Sequence, residues 1–357
     1  MGLFGFGKKK GVVGVDIGSS AVKAVELKPV GKGGMDFQLV NIGMEALPPE
    51  AIVDGAIMDS GAVIDAVQRL FSTQKIKTMD VATSVSGNAV IVKKISLPQM
   101  SEEELAESIH WEAEQYIPFD IQDVGIDYEV IEDSGEAGNM EVLLVAVKKD
   151  KISDYTSAIS QAGRNPSVVD VDVFALQNCF EVNYGLDPGR IIALLNIGAS
   201  IMNINILRGS SSIFNRDIAV GGNQYTDAIQ KDLNLSFDQA EALKRGAPVD
   251  GAGPESLDPI LQTVSENISL EIQKTFDFFK ATSSEDRIDQ IFVSGGTSKV
   301  YGLPELLSER LETPVEIMNP FNAVTYNPKD FDPEFIEEIG PSAAIAVGLA
   351  ARHVGDR

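Results

Sequence analysis

GVDIGSSAVKAVEL, Gly14 to Leu27, reads as an apolar strand ending in Asp16, a tight Ile-Gly-Ser-Ser turn and a second strand carrying Lys23. A half-buried strand delivers the Asp16 carboxylate to a sheet edge, and Gly18 permits a turn closed to other side chains. The backbone N–H groups of Ser19 and Ser20 can then face an anion. Asp16 would hold a hydrated divalent cation, which neutralises phosphate oxygens that a bare carboxylate would repel. Alone the pattern is ambiguous, because an ordinary hairpin turn also selects Asp, Gly and Ser.

The pattern returns. IALLNIGASIMNINIL, Ile192 to Leu207, is again an apolar strand, a glycine turn over Asn196, Ile197, Gly198, Ala199 and Ser200, and a second strand. Ile17, Gly18, Ser20 and Leu27 match Ile197, Gly198, Ser200 and Leu207 without a gap. A strand, turn and strand repeated in two halves of one chain predicts duplicated α/β lobes whose turns face each other across a cleft. A third glycine turn, Ser294, Gly295, Gly296 and Thr297, follows the apolar strand Ile288 to Ser294 and precedes a helix opened by Pro304.

These three turns, in this order, resemble the phosphate-1, phosphate-2 and adenosine motifs of the actin, Hsp70 and sugar-kinase superfamily, and the resemblance covers nearly the whole chain. Within it the chain is similar to the PilM family, actin-like cytoplasmic proteins of type IV pilus assembly. The pointers are the short leader Met1 to Lys10, SLPQMSEEELAESIHWEAEQYIPFDIQDVGIDYEV at Ser96 to Val130, and IGPSAAIAVGLAAR at Ile339 to Arg352. FtsA, the cell-division relative, is similar in plan but less so through the central stretch. The resemblance implies an α/β fold of duplicated ribonuclease H-like, actin-like ATPase lobes with an inserted subdomain. Residues 1–10 would be a flexible leader and 11–190 the first lobe, with an insertion over about 82–162. Residues 191–340 would be the second lobe, with a helical subdomain over about 222–285, and 341–357 a helix returning to the first.

The same resemblance implies ATP between the lobes. The triphosphate would rest on the turns of Gly18, Ser19 and Ser20 and of Gly198, Ala199 and Ser200, with Mg²⁺ held through water by Asp16 and Lys23 reaching toward the phosphates. Adenine would lie near Gly295, Gly296 and Thr297. Glu241 and Lys244 follow the capping box of Ser236 and Gln239 at i and i+3, hence on one helix face. They read as a solvated ion pair or, by resemblance, as contacts to ribose and base. Asp170 and Asp172 precede the helix Val173 to Tyr184. They read as surface caps favoured by the helix dipole or, by resemblance, Asp172 would orient the attacking water. The second turn begins with Asn196 where the superfamily usually has Asp. An amide brings no negative charge and accepts no proton, so tight nucleotide binding with slow or negligible hydrolysis is expected.

Composition bounds the partners. The 357 residues are 44% hydrophobic, enough for two lobes with cores, and carry a formal net charge of −24, which argues against nucleic acid. Cys179 has no partner for an internal disulfide and reads as a core residue. His110, next to the sole tryptophan Trp111, has no nucleophile or carboxylate dyad spaced around it and reads as structural or interfacial. No stretch is apolar for long enough to span a bilayer, so a cytoplasmic location is expected. Phe4, Phe6 and Lys8 to Lys10 bury too little area to anchor a membrane, and Phe6 replaces the Ser or Thr of an acylation signal.

Along the chain the patterning predicts a strand over Phe37 to Met44 and a helix over Ala62 to Phe71. A hairpin of Val81 to Ser86 with Ala89 to Ile95 through Gly87 and Asn88 follows. Ser101 and Glu104 form a capping box opening a helix that Pro118 ends. A long helix runs through Ile260 and Phe279, a surface loop covers Pro328 to Pro341, and a small-residue helix covers Ser342 to Ala351. Three functions stay open: a nucleotide-loaded scaffold, an acceptor kinase of the sugar-kinase type, and an FtsA-like filament former. The scaffold, by resemblance, binds the cytoplasmic N-terminal segment of PilN and through it, indirectly, the pilus motor ATPases and platform protein at the inner membrane, with homo-oligomers allowed. The kinase needs a carboxylate base, Asp170 or Asp172. The filament former would want an amphipathic C-terminal helix, which ARHVGDR does not supply.

Overall fold

The computed structural model describes residues 10–31, 36–131, 138–283, 285 and 287–356. The leader residues Phe4, Phe6, Lys8 and Lys9 lie outside them. The first lobe opens with a meander of β1 (Val13–Ile17), β2 (Ala21–Val30) and β3 (Asp36–Ala46). The short pair β4 (Ile52–Val53) and β5 (Ala56–Ile57), helix α1 (Ser60–Thr73) and strand β6 (Asp80–Val85) follow. Then come β7 (Val90–Pro98), α2 (Glu102–Glu114), β8 (Val124–Ile131) and β9 (Asn139–Lys148), and after them α3 (Lys149–Gln161), β10 (Asn165–Val171) and α4 (Asp172–Tyr184).

The second lobe repeats the plan. It runs through β11 (Ile191–Ile197), β12 (Met202–Arg208), β13 (Ser211–Ile218), α5 (Asn223–Leu233), α6 (Phe237–Lys244), α7 (Pro254–Thr282) and β14 (Gln290–Ser294). It ends in α8 (Leu303–Arg310), β15 (Val315–Ile317), α9 (Pro333–Ile339) and α10 (Ala344–Ala350).

The two five-stranded sheets have orders β3-β2-β1-β6-β10 and β13-β12-β11-β14-β15. In each, three antiparallel strands are followed by two parallel ones, so β1 and β11 are equivalent centres. Even the side-chain tie repeats: the Thr83 hydroxyl donates to Val15 O at 2.9 Å, and the Ser294 hydroxyl donates to Leu195 O at 3.3 Å.

Strand alternation assigns the faces. Val13, Val15, Val22 and Ala24 pack outward under α1 and α3; Ala193, Leu195, Ile204 and Ile206 pack outward under α5 and α7. The opposite faces meet a shared core in which Val25, Ala82, Leu194, Leu207 and Phe292 surround α4 and α10. These two helices are therefore the layer between the sheets. Their approach is set by glycine: a Cβ on Gly348 would sit 1.7 Å from Ala175 O, and one on Gly14 2.1 Å from Ala346 O.

Three readings are corrected. β6 and β7 do not pair as a hairpin through Gly87 and Asn88; β6 lies between β1 and β10, while β7 joins the three-stranded sheet β7-β9-β8. Gly87, at φ +82°, turns the chain from one sheet into the other. The Pro328 to Pro341 stretch is not all loop, because α9 lies within it, capped by Asp332, which accepts from Glu334 N at 3.0 Å. The burial of Ile336 and Ile339 in the shared core holds this acidic helix. Asp170 and Asp172 are not surface caps, since α4 begins after Val171 with no side-chain cap bond. Asp170 is buried, accepting from Val171 N at 2.8 Å with Arg352 Nε 3.5 Å away.

Candidate functional site

The faces that meet across the molecule carry polar residues at their strand ends. Gly14 faces α10, so alternation points Asp16 the same way; Leu194 faces the shared core, so Asn196 does too. Asp16 Oδ2 accepts from Lys23 Nζ at 3.0 Å, and each side chain keeps 14% of its exposure. Gly18 N closes the first turn on Ala21 O at 3.1 Å, and Gly198 N closes the second on Ile201 O at 3.0 Å. A Cβ on Gly18 would lie 2.8 Å from Lys23 Nζ, so glycine leaves the lysine its place above the turn. Ser19 and Ser20 follow Gly18 at the surface side of this turn, with Ser20 exposed.

The second turn is braced by two glycines unassigned from sequence. Gly222 N donates to Gly198 O at 2.9 Å and Asn223 N to Ala199 O at 2.8 Å. Asn223 Nδ2 also donates to Ser200 Oγ at 3.2 Å. A Cβ on Gly221 would lie 2.5 Å from Gly198 O. The third turn locks onto the same point, for Thr297 Oγ1 donates to Gly198 O at 2.8 Å. Gly295, at φ +84°, would place a Cβ 2.3 Å from Ile197 O, while Gly296 is exposed beside it. Lys244 Nζ reaches this cluster from α6, donating to Gly222 O at 3.2 Å and Thr226 Oγ1 at 2.9 Å and pairing with Glu241. Glu241 and Lys244 are thus a half-buried network with Thr226, not a solvated pair. Asn196, Gly198, Ala199, Ser200, Glu241, Lys244, Gly295, Gly296 and Thr297 come together as one cluster around the second turn, while Asp16, Gly18, Ser19, Ser20 and Lys23 stand on the first lobe.

The lobes touch through Ile201, whose Cδ1 lies 3.2 Å from the Cβ position of Gly87 and 3.3 Å from that of Gly55. Lys151 and Tyr155 both donate to Gly55 O at this junction, the tyrosine at 2.9 Å. Lys151 is buried, and burial lowers its pKa. Asp217 on β13 accepts from Gly87 N at 2.6 Å and from Asn203 Nδ2 at 2.9 Å. Asp217 borders a cavity of about 260 Å³ between the lobes, together with Gly87, Val90 and Val173. Sequence reading missed Ser84, Lys151, Asn203 and Asp217. One signal was present: Asn203 and Asn205 interrupt the otherwise apolar MNINIL.

Asp172 stands at the first residue of α4, and Ser84 Oγ donates to its Oδ1 at 2.6 Å. Burial and then the charge of Asp16 push its carboxyl up to about 6, against the hydroxyls of Ser84 and Ser86. A raised carboxyl is protonated in the folded state before the unfolded one, so stability falls as pH rises from about 4 to about 6 and then levels. Asp172→Asn should remove this slope and stabilise the protein above pH 7 by roughly 1–2 kcal/mol relative to wild type. Urea unfolding of both proteins at pH 4 and pH 7.5 measures it; parallel pH profiles would refute it.

Among the described residues no three His, Cys, Asp or Glu side chains gather to hold a metal ion. A cation here would come with phosphate and meet Asp16 through water, which suits a single carboxylate at the glycine turn itself. Among the described residues no helix is long and apolar enough to cross a membrane. His110 is exposed on α2, as is Trp111 at 75%. Cys179 is buried in the shared core.

Residues 14–354 match the family model described as type IV pilus assembly protein PilM. Among curated proteins the chain is similar to the cell division protein FtsA of Staphylococcus epidermidis, 24% identical over 360 residues, covering 86% of this chain and 74% of that one. Among solved structures it is similar to a PilM-PilN type IV pilus biogenesis complex. There the TM-score is 0.86 at 30% identity, covering 98% of this chain and 100% of that one. The MreB5 of Spiroplasma citri, solved bound to AMPPNP, shares the fold at TM-score 0.51 and 13% identity, covering 96% of this chain and 95% of that one. The fold is the actin-like ATPase fold that the resemblance implied.

Proposed function

The chain belongs to the type IV pilus assembly protein PilM family, and we propose that within pilus assembly it is a nucleotide-loaded scaffold that binds a PilN-type partner and hydrolyses ATP slowly or not at all. The observation that carries the reading is the pair of equivalent turns with unequal charge. At the end of β1 stand Asp16 and Lys23; at the matching positions of β11 and β12 stand two amides, Asn196 Nδ2 donating to Asn203 Oδ1 at 2.9 Å.

Nucleotide binding is supported by glycine turns that close on their own N–H, leaving Ser19, Ser20, Ala199 and Ser200 to offer theirs to phosphate. Asp16 would hold Mg²⁺ through water, Lys23 would exchange its carboxylate partner for phosphate oxygen, and Gly295, Gly296, Glu241 and Lys244 would border the nucleoside. Mg²⁺ supplies charge neutralisation along the phosphates. Asp172 would orient a water, but with Asn196 in place of a second carboxylate the water meets a weaker field. Asn196→Asp should raise phosphate release about tenfold, with Asp172→Asn cancelling the gain. Equal turnover in wild type and Asn196→Asp would sink the slow-hydrolysis reading.

The scaffold role predicts that an N-terminal cytoplasmic PilN segment binds beside the sheet β7-β9-β8 and its helix α2, tying the protein to the inner membrane and, indirectly, to the motor ATPases and platform protein. The test is calorimetric titration of such a peptide into ATP-loaded protein. Saturable binding is expected; none at millimolar peptide, with ATP held, would refute it and favour an acceptor kinase.

A further inference from the structure

We propose that Asp217 is a positioning residue of the nucleotide site: its charge sets which way the Asn196 amide is turned and ties that amide's row to the other lobe. The inference rests on the nucleotide-binding reading above and adds a residue to it.

Four side chains stand in one row across the second sheet. Ser294, Asn196, Asn203 and Asp217 are direct register partners on β14, β11, β12 and β13. Direct partners share a face, so the row is continuous. The amides are hydrogen-bonded in sequence: Asn203 Nδ2 donates to Asp217 Oδ1 at 2.9 Å and Asn196 Nδ2 to Asn203 Oδ1 at 2.9 Å, while the one Ser294 hydroxyl proton is shared between Leu195 O at 3.3 Å and Asn196 Oδ1 at 3.4 Å. Asn203 and Ser294 are buried, so water does not compete for these groups.

An amide row could run in either direction, because oxygen and nitrogen exchange places on a flip. Asp217 removes that freedom. An ionised carboxylate only accepts, so Asn203 must turn its nitrogen toward it and its oxygen toward Asn196. Asn196 then points its own nitrogen at Asn203. Its oxygen keeps a lone pair, beyond the Ser294 hydroxyl, for a donor such as a metal-bound water. With Asp217 neutral and able to donate, the opposite direction becomes equally available and Asn196 would present nitrogen, which repels a cation's water.

The first lobe solves the same problem without a relay. Its row carries the charge at the strand end itself, Asp16, with Lys23 as register partner. In the second lobe the carboxylate lies two strands away, where its other oxygen takes Gly87 N at 2.6 Å. Gly87 leads from β6 into β7, the first strand of the inserted sheet. One charge thus orients the amide at the second turn and holds the root of the inserted sheet.

The experiment titrates Mg²⁺–ATP and metal-free ATP into wild type, Asp217→Asn, Asn196→Asp and the double variant, and follows hydrogen exchange of the Gly87 amide. For Asp217→Asn, Mg²⁺–ATP affinity should fall about tenfold, metal-free ATP affinity should hold within about twofold, and Gly87 should lose protection. The double variant returns a carboxylate to the turn and should recover most of the lost affinity. Equal loss with and without metal, no loss, or a double variant no better than Asp217→Asn would overturn the proposal. If Asp217→Asn does not fold, Asn203→Ala breaks the row at its middle: Mg²⁺–ATP affinity should fall about tenfold with metal-free ATP affinity held within about twofold, while Gly87, still bonded to Asp217, keeps its protection. Failure of wild type to bind any nucleotide would instead overturn the nucleotide-binding reading beneath it.

Discussion

Asp16→Ala is expected to lower Mg²⁺–ATP affinity by about 100-fold. Two losses add. The carboxylate that would order the metal's water is gone, and Lys23, with 14% of its side chain exposed, loses the partner 3.0 Å away. An unpaired, largely buried ammonium is costly, so the variant should also unfold at lower temperature than wild type. Lys23 released from Asp16 would still meet phosphate, which is why metal-free ATP should suffer less than the magnesium complex. Fluorescent-nucleotide titration with and without Mg²⁺, alongside a thermal melt, separates the two contributions. Unchanged Mg²⁺–ATP affinity in a folded Asp16→Ala protein would remove the first turn from the site.

Gly348→Ala should be the most damaging single methyl in the molecule, costing more than about 4 kcal/mol and leaving little folded protein. The added carbon would lie 1.7 Å from Ala175 O, 2.6 Å from Ala175 C and 3.0 Å from Cys179 N. All three belong to helix backbone, so no side chain can swing aside. Every residue of α10 is buried, and the helix lies against both α4 and β1 in the core shared by the two sheets. Opening the α4–α10 contact would separate the lobes' common layer rather than loosen one edge. Gly11→Ala, where nothing lies within 4 Å of the new carbon, is the matched control and should be nearly silent. Comparable soluble yield and melting of the two variants would refute the close-approach argument.

The polar chemistry is organised by which face of each strand looks inward. Period-2 alternation places Asp16 with Gly14, and Asn196 with Leu194, on faces turned away from α1 and α7. That much is local. The meeting of Asp172 with Ser84, or of Asp217 with Gly87, joins residues far apart in sequence, and no local pattern marks such partners. The same gap explains the misplaced hairpin: Gly-Asn between two strands suits a tight turn, but β6 finds better partners in β1 and β10 on either side. The acidic stretch around α9 read as loop because its few apolar residues gain a burial site only once the shared core exists.

By itself the sequence determined the duplicated strand-turn-strand units, their order and the glycine positions. All of these depend on backbone conformation and strand period, which neighbours along the chain dictate. The tertiary structure alone decided the rest: Asp172 as an enclosed carboxyl with a raised pKa, Lys244 bound into the second turn's brace, Lys151 buried at the junction, and Asp217 spanning the lobes. Those properties come from desolvation and from partners brought within hydrogen-bond distance, and both arise only when the two sheets close on α4 and α10.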